Sequence, residues 1–132
     1  MIWLHTKFAY FTLSNVIIIA MRLPNRKNAF VKKDKLTNYL LSLSHPVGRY
    51  KAVFFRNMGF NDINVDTLKQ KFYEIAQKNN VESSRSSDDM SGINYKIIGS
   101  LSAPGGKTYF VETIWYIKRG ANNPSFVTAN PV

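Results

Sequence analysis

The chain has 132 residues, of which 45% are hydrophobic and 14% aromatic, the size and composition of one folded domain. It carries 18 Lys and Arg against 8 Asp and Glu, a net charge of +10, and no cysteine. These values exclude a disordered chain, a disulfide scaffold, a thiolate metal site and a cysteine nucleophile, and they favour a reducing compartment such as the cytoplasm.

The positive charge is concentrated in one stretch. Nine basic residues lie between Arg22 and Arg56, where Asp34 is the single acidic residue. A field of this sign attracts polyanions, and nucleic acid is the partner it predicts. A solvated basic surface and an anionic membrane are the alternatives, although no segment combines a basic face with an apolar one.

Residues 1–20 form an apolar extension that differs from the rest of the chain. The uncharged run from Phe8 to Ala20 is shorter than the roughly 20 residues that a spanning helix needs, and it lacks small residues at both positions of a signal cleavage site. Three interpretations stay open: translation that starts at Met21, a β-strand over residues 15–20 that pairs with the domain, and a membrane-directed leader. No stable membrane association is expected.

Residues 21–132 are predicted to form a single α+β domain, beginning with three helices. Asp34 is expected to cap the first helix, whose apolar face holds Leu36, Tyr39, Leu40 and Leu43. The second follows Ser44-His45-Pro46, with Val47, Tyr50, Phe54 and Met58 at helical spacing, and ends at Gly59. The third starts at Asn64 or Asp66 and turns Leu68, Phe72, Ile75 and Ala76 inward.

A change of pattern marks the second half. Residues 82–92 are polar, without periodicity, and are predicted to be a flexible loop. Strands are predicted over 93–103, 108–118 and 125–130, and Pro104-Gly105-Gly106-Lys107 has hairpin chemistry. The expected architecture is therefore N-terminal helices packed on one face of a C-terminal antiparallel sheet of three to four strands.

The tract from His45 to Lys51 is the strongest candidate for chemistry. His45 lies at a helix junction, with Arg49 one turn further on and Lys51 near the same end of the helix. An imidazole beside two cations and free helix N–H groups suits a phosphate. The alternative is that His45 only caps the helix and that both cations are surface charges.

No other active-site motif is convincing. The sequence has no metal-binding histidine pair, no paired cysteines and no nucleophile elbow, so neither a metal nor a cofactor is predicted. In the second long strand, alternation separates Tyr109 and Trp115, expected in the core, from an opposite face that presents Tyr116 and Lys118. Together with Lys96, these aromatic and cationic groups can stack bases and bind phosphates.

Several tracts resemble a bacterial family of small uncharacterised domains. They are Met21–Asn25, Lys35–Leu41, His45-Pro46-x-Gly48-x-x-Lys51-Ala52-x-Phe54-Phe55, Met58–Phe60, Tyr95–Ile97, Ile114–Ile117 and Phe126–Ala129. The likeness covers about residues 21–132. Members of this family occur beside a small partner gene, in toxin–antitoxin fashion, or at the C-terminus of polymorphic toxins. The family in turn is similar to the barnase/EndoU/colicin/RelE superfamily of ribonuclease toxins.

The resemblance implies metal-free RNA cleavage, in which a ribose 2′-hydroxyl attacks the adjacent phosphate. It implies His45 as base or acid, Lys51 as the group that stabilises the phosphate, and Thr128 as a group that orients or donates to it. Arg49 and Tyr116 are further candidates for phosphate contact or proton transfer. A cytoplasmic ribonuclease toxin, held by a small acidic antitoxin, is the leading hypothesis.

The second hypothesis is a binding module without catalysis. It would use the same basic residues, with Arg49, Lys96, Tyr116 and Lys118 as the RNA-binding set. RNA, DNA or an acidic protein would then be the partner. Binding that weakens steeply with salt and leaves the nucleic acid intact separates this hypothesis from the first.

Overall fold

The computed structural model describes residues 8–13 and 16–132 of the chain. Within this part an N-terminal β-hairpin precedes three helices and a four-stranded antiparallel sheet. The elements are β1 (Phe8–Leu13), β2 (Val16–Met21), α1 (Lys33–Lys35), α2 (Arg49–Asn57), α3 (Val65–Lys78), β3 (Val81–Ser86), β4 (Gly92–Ser102), β5 (Thr108–Lys118) and β6 (Ser125–Pro131). The predicted α+β class is confirmed.

The N-terminal hairpin is a separate two-stranded sheet. β1 pairs with β2 in antiparallel register from Phe8 opposite Met21 to Leu13 opposite Val16. Within the extension, the hydrogen-bonding partner of β2 is β1. Residues 1–7 and 14–15 of the extension lie outside the described residues. In the described part of the chain, no helix is long and apolar enough to cross a membrane.

The first helix differs from its prediction. Asp34 lies in the first turn of α1 and does not cap it; Lys32 holds the cap position without a side-chain hydrogen bond. After one turn the helix widens into a π-helical turn, Leu36–Leu40, closed by a bond of 2.7 Å from the N–H of Leu41 to the carbonyl of Leu36. The extra residue in this turn changes the direction of the side chains after it. Leu41 is therefore buried, and Leu43, predicted to be in the core, is exposed.

The inward face of α2 was predicted correctly in part. Met58 is buried and Phe54 packs against the core, as predicted. Val47 precedes the helix, and both Val47 and Tyr50 are exposed, while Ala52 and Phe55 are also buried. The helix begins at Arg49, directly after Gly48, where the chain packs tightly against Tyr39. In α3 the four predicted inward residues are all buried.

The main sheet is a meander with strand order β3-β4-β5-β6. The bounds of β5 match the prediction, β4 begins and ends one residue earlier than predicted, and β6 ends one residue later. The prediction of a flexible loop over residues 82–92 is wrong in part, because Val81–Ser86 forms the edge strand β3. An edge strand with exposed side chains needs no apolar alternation, so its sequence carries no strand signal.

The helices cover one face of the main sheet. That face carries Trp115, Val111 and Phe126, which are fully or almost fully buried against α2 and α3. Thr113 is the one polar residue of the described part that is fully buried; its hydroxyl donates to the Ile97 carbonyl at 2.8 Å and accepts from the Trp115 indole at 2.8 Å. Among the described residues, no helix covers the opposite face, here called the open face.

Candidate functional site

Three polar side chains from three elements meet at the β6 edge of the sheet. The Lys51 ammonium donates to the Thr128 hydroxyl at 2.7 Å and to the Tyr39 hydroxyl at 2.9 Å. The Tyr39 and Thr128 hydroxyls are 3.1 Å apart. Each pair of the three groups is therefore within hydrogen-bonding distance. These residues, together with His45, are called the Lys51 cluster below.

Local irregularities bring the cluster together. Tyr39 lies in the π-helical turn, and this type of turn is frequent at functional sites. Thr128 lies beside a β-bulge, because Ile114 is opposite Thr128 while the next residue of β5, Trp115, is opposite Phe126. Bulges redirect side chains near strand edges. Lys51 comes from the regular first turn of α2.

Gly48 fixes the distance between α2 and Tyr39. A Cβ at this position would overlap the carbonyl oxygen of Tyr39 and lie 2.9 Å from its Cδ1 atom. The φ angle of Gly48 is −69°, which any residue can adopt, so the requirement is for space and not for backbone conformation. The close approach expected at this glycine is therefore an approach of the protein's own backbone.

His45 lies in the turn before α2, and its ring meets the Tyr39 ring edge to face at 5.0 Å between centroids. Its Nδ1 accepts the backbone N–H groups of Val47 at 3.0 Å and Gly48 at 2.9 Å. An accepting Nδ1 carries no proton, so the neutral ring carries its proton on Nε2. His45 thus caps the turn with one nitrogen and presents an N–H donor with the other. A general base would need a free Nε2, which this tautomer does not have.

The electrostatic environment of the cluster is positive. Burial is the largest single influence on the pKa of Tyr39 and raises it. Hydrogen bonds from Lys51 and Thr128 and the charges of Lys51 and Lys35 act in the opposite direction. Their combined effect exceeds that of burial, so the pKa of Tyr39 is below its usual value of 10.0. The Lys51 and Lys35 ammonium groups lie 5.4 and 5.6 Å from the centre of the Tyr39 ring. Among the described residues no carboxylate pairs with either lysine. A phenolate or a phosphate at this place therefore meets uncompensated cations.

Arg49 is exposed next to the cluster. Its backbone N–H donates to the His45 carbonyl at 3.1 Å, while its guanidinium lies over the Tyr50 ring at 4.8 Å and donates to the Tyr50 hydroxyl at 2.9 Å. Tyr50, predicted to be inward, is instead 71% exposed and holds this arginine at the surface. Arg49 thus presents its guanidinium at the surface of the domain.

The other predicted RNA-binding residues lie away from the cluster, on or at the end of the open face. Lys96 of β4 forms an ion pair of 3.8 Å with Glu112 of β5. Tyr116 makes a short hydroxyl contact with Ser91, and Lys118 is exposed at the end of β5. The three predicted catalytic residues therefore come together, whereas the three strand residues form a second group across the sheet.

Tyr39 is the member of the cluster that the sequence did not identify. It stands at an apolar-face position of a predicted helix, where a tyrosine usually contributes its ring to the core. The π-helical turn leaves it half-buried at the rim, with its hydroxyl directed to Lys51. No residue in its sequence neighbourhood signals this turn. Within residues 8–13 and 16–132, no group of three or more acidic or histidine side chains is arranged to hold a metal ion.

Comparison with known families places the domain. The model of a family described as a domain of unknown function, DUF6883, matches residues 22–132. The chain belongs to the DUF6883 family. This agrees with the resemblance to small uncharacterised domains seen over residues 21–132. No curated protein matches the sequence.

The fold is similar to that of a solved structure. It is a chain of a contact-dependent growth inhibition toxin–immunity protein complex from Klebsiella pneumoniae 342. The superposition has a TM-score of 0.60 and covers 80% of this chain and 95% of the other, at 19% sequence identity. At this identity the likeness concerns the fold of the DUF6883 domain.

Proposed function

We propose that this DUF6883 chain is a metal-independent ribonuclease toxin that is neutralised by a small acidic protein. The observation that carries the proposal is the Lys51 cluster, in which an ammonium group joins two hydroxyls at the edge of a strongly basic domain. Cleavage of RNA without a metal needs a proton acceptor, a proton donor and cations around the phosphate. The cluster and its surroundings supply candidates for each of these roles.

The reaction is attack of a ribose 2′-oxygen on the adjacent phosphorus. The P–O5′ bond breaks, which leaves a 2′,3′-cyclic phosphate and a free 5′-hydroxyl. Tyr39 is placed to take the proton from the 2′-hydroxyl, because its lowered pKa makes the phenolate more accessible. Lys51, with one N–H beyond those used for Tyr39 and Thr128, stabilises the charge that develops on the phosphate.

His45 takes a role different from that of a base. Its Nε2–H is directed away from the capped turn, so it donates a hydrogen bond to a phosphate oxygen. The departing 5′-oxygen takes its proton from the Lys51 ammonium, and Tyr39 passes the proton that it took from the 2′-hydroxyl to Lys51 through their 2.9 Å hydrogen bond, which restores both groups. Thr128 orients the Lys51 ammonium, and Arg49 contacts a flanking phosphate. Lys96, Tyr116 and Lys118 bind RNA on and beside the open face.

The partner is proposed from charge and fold together. The similar solved structure is described as a toxin–immunity protein complex. We assign this chain to the toxin side of such a pair, because a net charge of +10 suits an enzyme that binds RNA and attracts an acidic inhibitor. Expression of the full chain should arrest growth of a bacterial host, and Lys51→Ala should restore growth at equal protein level.

The biochemical test uses the full chain, single-stranded RNA and excess EDTA. Wild type should produce discrete fragments with cyclic phosphate ends, detected by mass spectrometry. Lys51→Ala should lower the rate by about 10²- to 10³-fold, as for other groups that stabilise transition-state charge. Lys69→Ala, an exposed cation on α3, is the matched control and should cut like wild type.

The non-catalytic binding module is the competing function. It gains weight from the fact that the cluster satisfies its own hydrogen bonds and that His45 serves as a cap. Intact RNA in every lane, with RNA retarded on a native gel in a salt-dependent manner, would favour this function and exclude the ribonuclease.

A further inference from the structure

One row of residues crosses the four strands of the main sheet and ends at the Lys51 cluster. Ser83 of β3 is opposite Lys96 of β4, Lys96 is opposite Ile114 of β5, and Ile114 is opposite Thr128 of β6. Directly opposed residues of antiparallel strands project from the same face. With about 4.8 Å between strands, Lys96 lies two strand spacings, or about 10 Å, from Thr128.

A groove of about 420 Å³ lies on the open face at the far end of this row. Its lining is Ser83, Ser84, Arg85, Asn94, Lys96 and Ile114. It combines two cations with an amide and hydroxyls around one aliphatic side chain. This chemistry suits a nucleotide, whose phosphate needs cations and whose base presents hydrogen-bonding edges and a flat apolar surface.

The two cations of the groove differ in how the protein holds them. Arg85 pairs with Asp88 at 3.9 Å, and both side chains are largely exposed. An exposed pair of this kind contributes about 0–1 kcal/mol, so a phosphate can replace Asp88 at little cost. Lys96 pairs with Glu112 at 3.8 Å, and both of these side chains are partly buried, with 38% and 28% exposed. Lys96 can keep this pair and still donate to a phosphate, because an ammonium group has three N–H donors.

We propose that the groove is a second nucleotide subsite, and that single-stranded RNA crosses the β-strands from Arg85 to Thr128. A nucleotide flanking the cleaved bond binds there, with its phosphate on Arg85 and Lys96 and its base between Asn94 and Ile114. The position of the cleaved bond rests on the proposed function; the subsite itself rests on the groove and the row. RNA is the occupant because the row of opposed residues leads from the groove to Thr128 of the cluster and the domain is strongly basic.

The test measures binding separately from cleavage. Fluorescence anisotropy compares a 2′-O-methyl dinucleotide with a 2′-O-methyl hexanucleotide, neither of which can be cut, on the full chain. Wild type should bind the hexamer at least tenfold more tightly than the dimer. Arg85→Ala should weaken the affinity for the hexanucleotide by about 5- to 10-fold and leave the affinity for the dinucleotide unchanged. It should also reduce the slope of log K against log salt by about 0.7, which corresponds to the loss of one phosphate contact on a single strand. Asn94→Ala should change which hexamer sequences bind best.

Lys107→Ala is the matched control, because Lys107 lies in the exposed turn between β4 and β5, at the opposite end of these strands from Asn94. An Arg85→Ala protein that binds the hexamer like wild type, or a Lys107→Ala protein that loses as much affinity, overturns the subsite. So does a polyglutamate peptide that displaces the hexamer at equal charge concentration, since the face would then be a protein-binding surface. Length-dependent binding that needs Arg85, combined with failure to cut unmodified RNA, keeps the subsite and refutes the ribonuclease.

Discussion

Replacement of Gly48 by alanine tests how the cluster is assembled. The new Cβ would overlap the carbonyl oxygen of Tyr39 and press on its ring at 2.9 Å. The nearest obstacle is backbone, which cannot rotate out of the way as the end of a side chain can. The start of α2 must therefore move away from the π-helical turn. Overpacking of this kind costs about 1–3 kcal/mol.

For a domain of this length, a loss of 1 kcal/mol lowers the melting temperature by about 3–5 °C, so Gly48→Ala should melt about 3–15 °C below wild type. The displaced α2 also separates Lys51 from Tyr39. The cleavage rate should therefore fall even at temperatures where the variant is fully folded. Thermal unfolding followed by circular dichroism gives the first quantity, and an RNA cleavage assay at about 20 °C below the variant's melting temperature, well inside the folded range, gives the second. Gly105→Ala is the control, because no atom lies within 4 Å of its Cβ position. A Gly48→Ala protein that melts and cuts like wild type would refute this account of the site.

Individual contacts give three further predictions. His45→Asn keeps an acceptor for the capped backbone N–H groups but removes the Nε2 donor, so this variant should melt near wild type, bind RNA and cut it poorly. His45→Ala should lose both the cap and the cleavage activity. If His45→Asn cuts as well as wild type, His45 acts only as a cap. The cleavage rate should rise with pH up to the lowered pKa of Tyr39 and level off above it, because only the phenolate accepts the proton, and Tyr39→Phe should be slower by about 10²- to 10⁴-fold without this rise. Thr113→Val should cost about 1–3 kcal/mol in urea unfolding followed by tryptophan fluorescence, since the buried indole N–H of Trp115 loses its acceptor; an unchanged midpoint would contradict the buried hydrogen bond.

The exposed carboxylate of Asp89 offers a check on the local structure. Hydrogen bonds from the Ser91 hydroxyl and backbone N–H, and from the Ser87 hydroxyl, lower its pKa to about 2. A folded-state pKa below the unfolded value stabilises the fold above the unfolded pKa, and this contribution is lost as the pH falls through the folded one. Carbon-13 NMR titration should show the low midpoint in wild type and a return toward 3.8 in Ser91→Ala. A wild-type midpoint already at the ordinary value would contradict the contacts around Asp89.

Regular elements of the fold could be predicted from the sequence, because apolar periodicity and turn residues encode them. The strand β5, the glycine-rich hairpin before it and the inward face of α3 all follow from such patterns. The edge strand β3 could not be found in this way, because its side chains point to solvent and need no alternation. The close packing of Gly48 against Tyr39 could not be found either, because it is a contact between different elements that no local pattern records.

Some residues of the candidate site could likewise be predicted from the sequence, and others could not. His45 and Lys51 stand out in the sequence because a lone histidine beside cations is an unusual combination, and Thr128 entered through the family resemblance. Tyr39 was hidden, because its role arises from a π-helical turn that directs the hydroxyl of an apolar-face residue to Lys51. Arg85 was hidden for a similar reason, since only the pairing of β3 with β4 places it beside Asn94.

The central claim is that the Lys51 cluster cleaves RNA without a metal. Phosphorus-31 NMR of a short unmodified oligoribonucleotide, mixed with the full chain in excess EDTA, tests this claim most directly. A 2′,3′-cyclic phosphate signal that grows with wild type and is absent with Lys51→Ala, while both proteins bind a 2′-O-methyl oligonucleotide, is the predicted result. An unchanged phosphodiester spectrum with folded, RNA-binding wild type would contradict the claim and leave the domain as a binding module.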